Sequence, residues 1–260
     1  MAASPPPRRV RLLGGEVDLT TPQDMLRFAE RAVDAGVSAL IANHNAHSLF
    51  LLRRSAAMRA FFEAADLIQI DSTPLILWGR LLGLPLKRAM RSTYLDWRCD
   101  FWRLAEARRW RVFYLGGAPG VAESAARRLA ARYPSAQIGC HHGYFDHASA
   151  SPENRRVLAA IAAFDPDVLL VGMGMPQQET WVLENRAAFK RGAIFTVGAA
   201  FDYEAGVQAT PPRWTGRLGL EWLARLAQAP RRLAYRYLVE PWSLVGPALR
   251  DIGEALARAR

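Results

Sequence analysis

Val168-Leu-Leu-Val-Gly172-Met-Gly174-Met-Pro176-Gln-Gln178-Glu179 runs from an unbroken apolar segment through a glycine turn into a polar segment headed by proline. A short apolar run bounded by turn residues reads as a strand buried on both faces, and proline followed by polar residues reads as a helix start. Backbone N–H groups converge at such a strand-to-helix turn, which favours an anionic or diphosphate group there. The spacing is not Gly-x-Gly-x-x-Gly, because Pro176 stands where a dinucleotide motif would continue, and the similar loop Leu115-Gly-Gly-Ala-Pro-Gly120 also lacks it. A nucleotide-dependent oxidoreductase therefore stays open only as an alternative class.

The same alternation extends in both directions from this stretch. Ala39–Ala42, Leu67–Ile70, Arg111–Leu115 and Ile194–Val197 are further short apolar runs that read as buried strands. Pro22–Ala35, Pro74–Leu82, Thr93–Arg108, Pro119–Tyr133, Pro152–Phe164 and Pro176–Ala188 carry apolar residues three and four apart, and most open with proline. Alternating strands and helices predict an α/β fold with a Rossmann-like, mostly parallel sheet and helices on both faces. Ligands of such a sheet bind beyond the carboxyl ends of the strands. Five loops should meet there: Asn43–Asn45, Asp71–Pro74, Gly116–Gly120, Gly172–Glu179 and Gly198–Gly206. Beyond them Gly216–Ala227, Pro230–Glu240 and Trp242–Arg258 read as helices without intervening strands. The expected division is a core over 8–206 and a helical appendage over 207–260.

Composition narrows the partners. The 260 residues carry a formal charge of +10, which favours contact with phosphates of lipids, nucleotides or nucleic acids. Arg213, Arg217, Arg225, Arg231, Arg232 and Arg236 share one short segment with Trp214, Trp222, Tyr235 and Tyr237. Basic and aromatic residues together suit an anionic membrane surface, and no helix-turn-helix, zinc-finger or RNA-binding signature supports nucleic acid. No apolar run has the length of a signal peptide or a membrane span, so the expected location is cytoplasmic, at the inner face of the membrane. Cys99 and Cys140 lack metal or redox spacing. Leu81, Leu82 and Leu84 could be core or a subunit contact, which leaves a homo-oligomer open.

Asp71 directly follows the run Leu67–Ile70 and precedes Ser72, Thr73 and Pro74, where a carboxylate would either serve as a general base at a strand tip or cap the next helix. Asn43, His44, Asn45 and His47 form a polar knot after another strand; amides there could grip sugar hydroxyls or make an Asx turn. The two histidines have no third ligand nearby, so no metal is expected. Asp165-Pro166-Asp167 has the look of an Asp-x-Asp metal motif but precedes its strand, as a helix-to-strand turn would. With no acidic pair placed for a divalent ion, a diphosphate would be met by arginines.

Taken in order, these motifs resemble the WecG/TagA/CpsF family of glycosyltransferases from about Val10 to Tyr237. The resemblance rests on Asn45, Asp71 with Pro74, Arg111-Val-Phe-Tyr-Leu-Gly-Gly117 with Pro119-Gly120, and Gly143-Tyr-Phe145. It continues through Val171-Gly172-Met-Gly174 with Pro176 and Gln178-Glu179, Gly198-Ala-Ala-Phe-Asp202 with Ala205-Gly206, Glu221-Trp222 with Arg225, Pro230-Arg231 and Arg236-Tyr237. It implies metal-independent, inverting transfer of a hexose or N-acetylhexosamine from a UDP-sugar to an undecaprenyl-diphosphate-linked saccharide in surface-polysaccharide assembly, with no cofactor. It further implies that Asp71 is the catalytic base, that Asn45 and Gln178 belong to the sugar site and that appendage arginines bind the diphosphate. The candidate substrate-binding set is Asn43, Asn45, Thr73, Gly172, Gly174, Gln178, Glu179 and Asp202; the diphosphate set is Arg225, Arg231 and Arg236. The chain departs from the family pattern at Asn43 (usually threonine), Ser72 (glycine), Gln177 (lysine), Arg91-Ser-Thr93 and Thr210-Pro-Pro-Arg-Trp214. These departures leave the reaction class in place and the donor sugar open. A non-catalytic lipid- or saccharide-binding module is the remaining alternative.

Overall fold

The computed structural model describes residues 7–210, 215 and 219–258, without the side chains of residues 224, 225, 228 and 232. Most of the N-terminal tail, the Pro-Pro-Arg-Trp segment ending at Trp214 and Arg217 lie outside the described residues. Among the described residues there are eight strands: β1 (Arg9–Leu12), β2 (Gly15–Asp18), β3 (Ser38–His44), β4 (Leu67–Ile70), β5 (Arg111–Gly116), β6 (Gln137–His141), β7 (Val168–Gly172) and β8 (Gly192–Thr196). Six of them form one parallel sheet in the order β4-β3-β8-β7-β5-β6, and β1 and β2 pair as a separate antiparallel hairpin. The helices of the α/β part are α1 (Pro22–Ala35), α2 (Ala46–Leu52), α3 (Ala56–Glu63), α4 (Thr73–Leu81), α5 (Tyr94–Ala107), α6 (Val121–Arg132), α7 (Pro152–Phe164), α8 (Gln177–Asn185) and α9 (Ala200–Ala205).

Period-two side-chain alternation explains why the sheet is covered twice. Val112, Tyr114, Val168, Leu170 and Phe195 join one apolar core beneath α1, α5, α6 and α9; Phe113, Leu115, Leu169, Val171 and Ile194 join another beneath α3, α7 and α8. A one-residue slip would exchange the two sets, so register is strongly specified. Adjacent strands β5 and β7 lead into α6 and α8, which pack on opposite faces. This divergence opens a crevice at their tips. There the backbones approach so closely that a Cβ on Gly172 would stand 2.2 Å from the Gly198 carbonyl oxygen and 2.4 Å from the Tyr114 hydroxyl.

The β1–β2 hairpin and β6 were not expected from sequence. Val10, Leu12 and Val17 of the hairpin pack with Leu49, Leu75 and Leu244 in a third core, and β6 is a half-exposed edge strand whose residues Gln137-Ile-Gly-Cys-His141 make no apolar run. Helices α2, α3 and α9 also went unread, being only seven, eight and six residues long. Asp165 and Asp167 form the turn into β7, where Arg191 pairs with both and Asp167 accepts from the Arg111 N–H, at the end of the sheet opposite its ligand edge.

After Gly206 the described chain is helical: α10 (Glu221–Gln228), α11 (Pro230–Ala234), a π turn (Tyr235–Val239), a 3₁₀ turn (Glu240–Leu244) and α12 (Val245–Arg258). Buried Asp251 ties α12 down by accepting from the Leu13 N–H (2.8 Å) and the Trp78 indole (3.0 Å), while Arg53 donates to the Ser243 carbonyl (2.5 Å). The helical segment is thus held against the ligand edge of the sheet. No helix among the described residues is long and apolar enough to cross a membrane.

Candidate functional site

Two clefts meet at the carboxyl ends of the strands. The wider, about 1540 Å³, is lined by Asn43, Gly117, Gly172, Gly174, Gln178, Gly198 and Asp202. The narrower, about 430 Å³, has a largely apolar wall that includes Leu13, Leu75, Trp78, Leu244, Val245 and Ala248. Asn45, His47, Asp71, Thr93, Arg236 and Tyr237 line both.

Asp71 stands one residue beyond β4, its N–H donating to the His44 carbonyl at 2.8 Å. Ser72, not Asp71, occupies the N-cap position of α4, and Asp71 is half-exposed at the cleft junction. Thr73, at the first position of α4, is buried and lines the narrow cleft only. Asn45 makes the Asx cap, its Oδ1 accepting from the Ser48 N–H at 3.0 Å, and its residue still lines both clefts. Asn43 donates to the Thr196 carbonyl at 2.8 Å and so joins the tips of β3 and β8. His44 is a core residue, fully buried and stacked 3.7 Å from the Phe62 ring, and burial pushes its imidazole down to about 3.

Gln178 braces the glycine loops. Its Oε1 accepts from the N–H of Gly174 and of Gly198, both at 3.2 Å, and its Nε2 donates to Glu179 Oε1 at 2.7 Å. Glu179 corrects the sequence reading: it is fully buried behind the wall, lines neither cleft, and its carboxyl accepts from Gln178. The reason is helical geometry: Gln177 and Gln178 face the wide cleft, and the next position along α8 turns into the interior. Burial pushes the Glu179 carboxyl up to about 7, opposed by Gln178 and by the nearby Arg236. A carboxyl raised in the folded state holds its proton more tightly there, so between about pH 4.5 and 7 stability falls as pH rises. Glu179→Gln should abolish that loss. Denaturant unfolding at pH 5 and 7.5 should show the variant gaining on the parent by up to about 3 kcal/mol at the higher pH; parallel curves would contradict the buried-acid assignment.

Of the arginines read as diphosphate ligands, Arg236 reaches the junction of the clefts. Arg231 is exposed at the start of α11 and lines neither, a second correction: the helix turns that side away. Arg225 lies on α10 and its side chain is outside the described residues. Arg91 entered the sequence reading only as part of a departure from the family pattern, not as a site residue. Arg91 lies in the narrow cleft wall, its guanidinium bonded to Asp96 (2.9 Å) and to Glu221 of α10 (3.0 Å). The available signal was local: Thr93 and Asp96 form the capping box of α5, and a basic residue just before a cap acid invites an ion pair. Among the described residues no three His, Cys, Asp or Glu side chains cluster as a metal site would require.

A strand-tip crevice with glycine loops, a half-exposed carboxylate and a cationic helical flap fits the chemistry of sugar transfer, and comparison with known proteins agrees. The model of the glycosyl transferase WecG/TagA/CpsF family matches residues 10–256. An N-acetylglucosaminyldiphosphoundecaprenol N-acetyl-beta-D-mannosaminyltransferase of Staphylococcus aureus strain MW2 is 28% identical over 86% of this chain and 87% of its own length. The protein of the same description from strain NCTC 8325 / PS 47 is 29% identical over 84% of each. With a family match across nearly the whole chain and the family's motifs gathered around one crevice, the protein belongs to the WecG/TagA/CpsF family and is a glycosyltransferase.

Proposed function

We propose that the protein moves a hexose or N-acetylhexosamine from a UDP-sugar onto a polyprenyl-diphosphate-linked saccharide, as its relatives' descriptions suggest for the acceptor, in cell-surface polysaccharide assembly. The observation that carries this reading is that a wide cleft edged by glycine loops and a narrow apolar cleft share Asp71. The wide cleft suits a nucleotide diphosphate against backbone N–H groups. The narrow one suits the first isoprene units of a lipid carrier, and the acceptor hydroxyl then falls at the junction.

In this reading Asp71 takes the proton of that hydroxyl while its oxygen attacks the anomeric carbon in one inverting step. Arg236 meets the charge developing on the leaving diphosphate, with further positive charge from Arg225 of the appendage over 207–260. No divalent ion enters this step. The appendage also carries an apolar surface for anionic lipid at the inner face of the plasma membrane. Val245, Leu249, Ile252 and Leu256 form one exposed stripe along α12 at helical spacing, continued by Trp242, which is 75% exposed.

The test is to incubate the protein with UDP-N-acetylmannosamine, UDP-glucose or a UDP-uronic acid and a short-chain polyprenyl-diphosphate N-acetylglucosamine. The expected result is an acceptor heavier by one sugar, UDP release and an unchanged rate in EDTA. Binding without UDP release would favour a saccharide-binding module, and a nicotinamide absorbance change without sugar transfer would favour an oxidoreductase. Loss of turnover in EDTA, restored by magnesium, would contradict the metal-independent step.

A further inference from the structure

His47 and Glu240 lie 193 positions apart, yet Nδ1 of the first meets Oε2 of the second at 2.6 Å. His47 belongs to the first turn of α2, beside the tip of β3, and Glu240 opens the 3₁₀ turn of the C-terminal segment. The pair is 15% and 6% exposed, so it is an element of the interior face of the site. A carboxylate only accepts hydrogen bonds, so the contact assigns a proton to Nδ1, and in the neutral ring the lone pair then lies on Nε2. Nε2 makes no hydrogen bond to a described residue and is not among the sealed buried atoms. The ring lines both clefts where they join, in company with Asp71 from the β4–α4 loop and Arg236 from the π turn. Burial and Arg236 pull His47 below the ordinary imidazole value, against Glu240, which pulls the other way. A neutral imidazole with a fixed tautomer recognises a hydroxyl and offers nothing to a phosphate oxygen.

We propose that His47 is a further substrate-binding residue of the transfer reaction: its Nε2 accepts a hydrogen bond from a hydroxyl of the acceptor saccharide, beside the hydroxyl that Asp71 deprotonates, and Glu240 is the positioning residue that holds the ring for this contact. The inference rests on the glycosyl-transfer reading above. Because Glu240 comes from the C-terminal segment, seating that segment completes the acceptor site.

The experiment is steady-state kinetics of the full-length protein with the UDP-sugar that supports transfer and the short-chain acceptor. Folding of each variant is checked by thermal unfolding. His47→Phe and Glu240→Leu should each raise the acceptor KM about tenfold with the donor KM unchanged, the scale of one lost hydrogen bond. The double variant should be no worse than either single one. Glu240→Gln, whose carbonyl can still accept from Nδ1–H, should restore most of what Glu240→Leu loses. A folded His47→Phe protein with an unaltered acceptor KM, or with donor and acceptor KM rising together, overturns the proposal. If His47→Phe does not fold, the two Glu240 variants decide, and equal acceptor KM values in them overturn it. A wild-type protein that transfers no sugar defeats the glycosyl-transfer reading itself; transfer that is indifferent to these substitutions defeats only the role of His47.

Discussion

Replacing Asp71 with asparagine is expected to leave a folded protein that binds its donor and to lower kcat by about 10²- to 10⁴-fold, the usual contribution of a positioned general base. The substitution keeps side-chain shape and removes only the proton acceptor. Ser72 and not Asp71 holds the N-cap position of α4, and Asp71 stands half-exposed at the junction of the clefts, so a folded variant is expected. Equal donor KM with collapsed kcat would be the signature of an interaction made in the transition state alone. Full turnover in the variant would remove the base assignment and turn attention to other groups at the junction.

The second large effect concerns the apolar stripe of the C-terminal helix. Trp242→Glu, Leu249→Glu and Leu256→Glu combined should abolish sedimentation with vesicles containing anionic lipid, because three exposed side chains that would enter the lipid interface become charged. Turnover of a short-chain acceptor in solution should persist, since none of the three lines either cleft. The contacts that dock the segment, Asp251 on Leu13 and Trp78, lie on the opposite side of α12 and are untouched. Vesicle binding equal to that of the parent would contradict a membrane role for this face, and lost turnover in solution would show that the stripe belongs to the acceptor site.

How far the molecule could be read in advance follows from burial. Strands β3, β4, β5, β7 and β8 are nearly all covered on both faces, and complete burial forces the unbroken apolar runs that announce them. β6 escapes notice because an edge strand tolerates glutamine, glycine and histidine. The strand-tip glycines were legible for a related reason, since close backbone approach at Gly172 excludes any side chain. The tasks of individual site residues were less so. Neighbours Gln178 and Glu179 are chemically alike, and only the facing of α8 separates a residue on the wall from one behind it. Arg91 has one partner nearby, Asp96, but reaches the appendage through Glu221, 130 positions away, and His47 does so through Glu240. Partners so distant leave no local periodicity.

The central claim is that the sugar changes hands at Asp71, between a nucleotide in the wide cleft and a lipid-linked acceptor in the narrow one. A crystal structure of the Asp71→Asn protein with bound UDP-sugar tests it most directly. The account predicts the diphosphate along the Gly172–Gly174 and Gly198 loops within reach of Arg236, with the anomeric carbon facing residue 71. A nucleotide seated in the apolar cleft, or an anomeric carbon turned away from residue 71 toward bulk solvent, would contradict it.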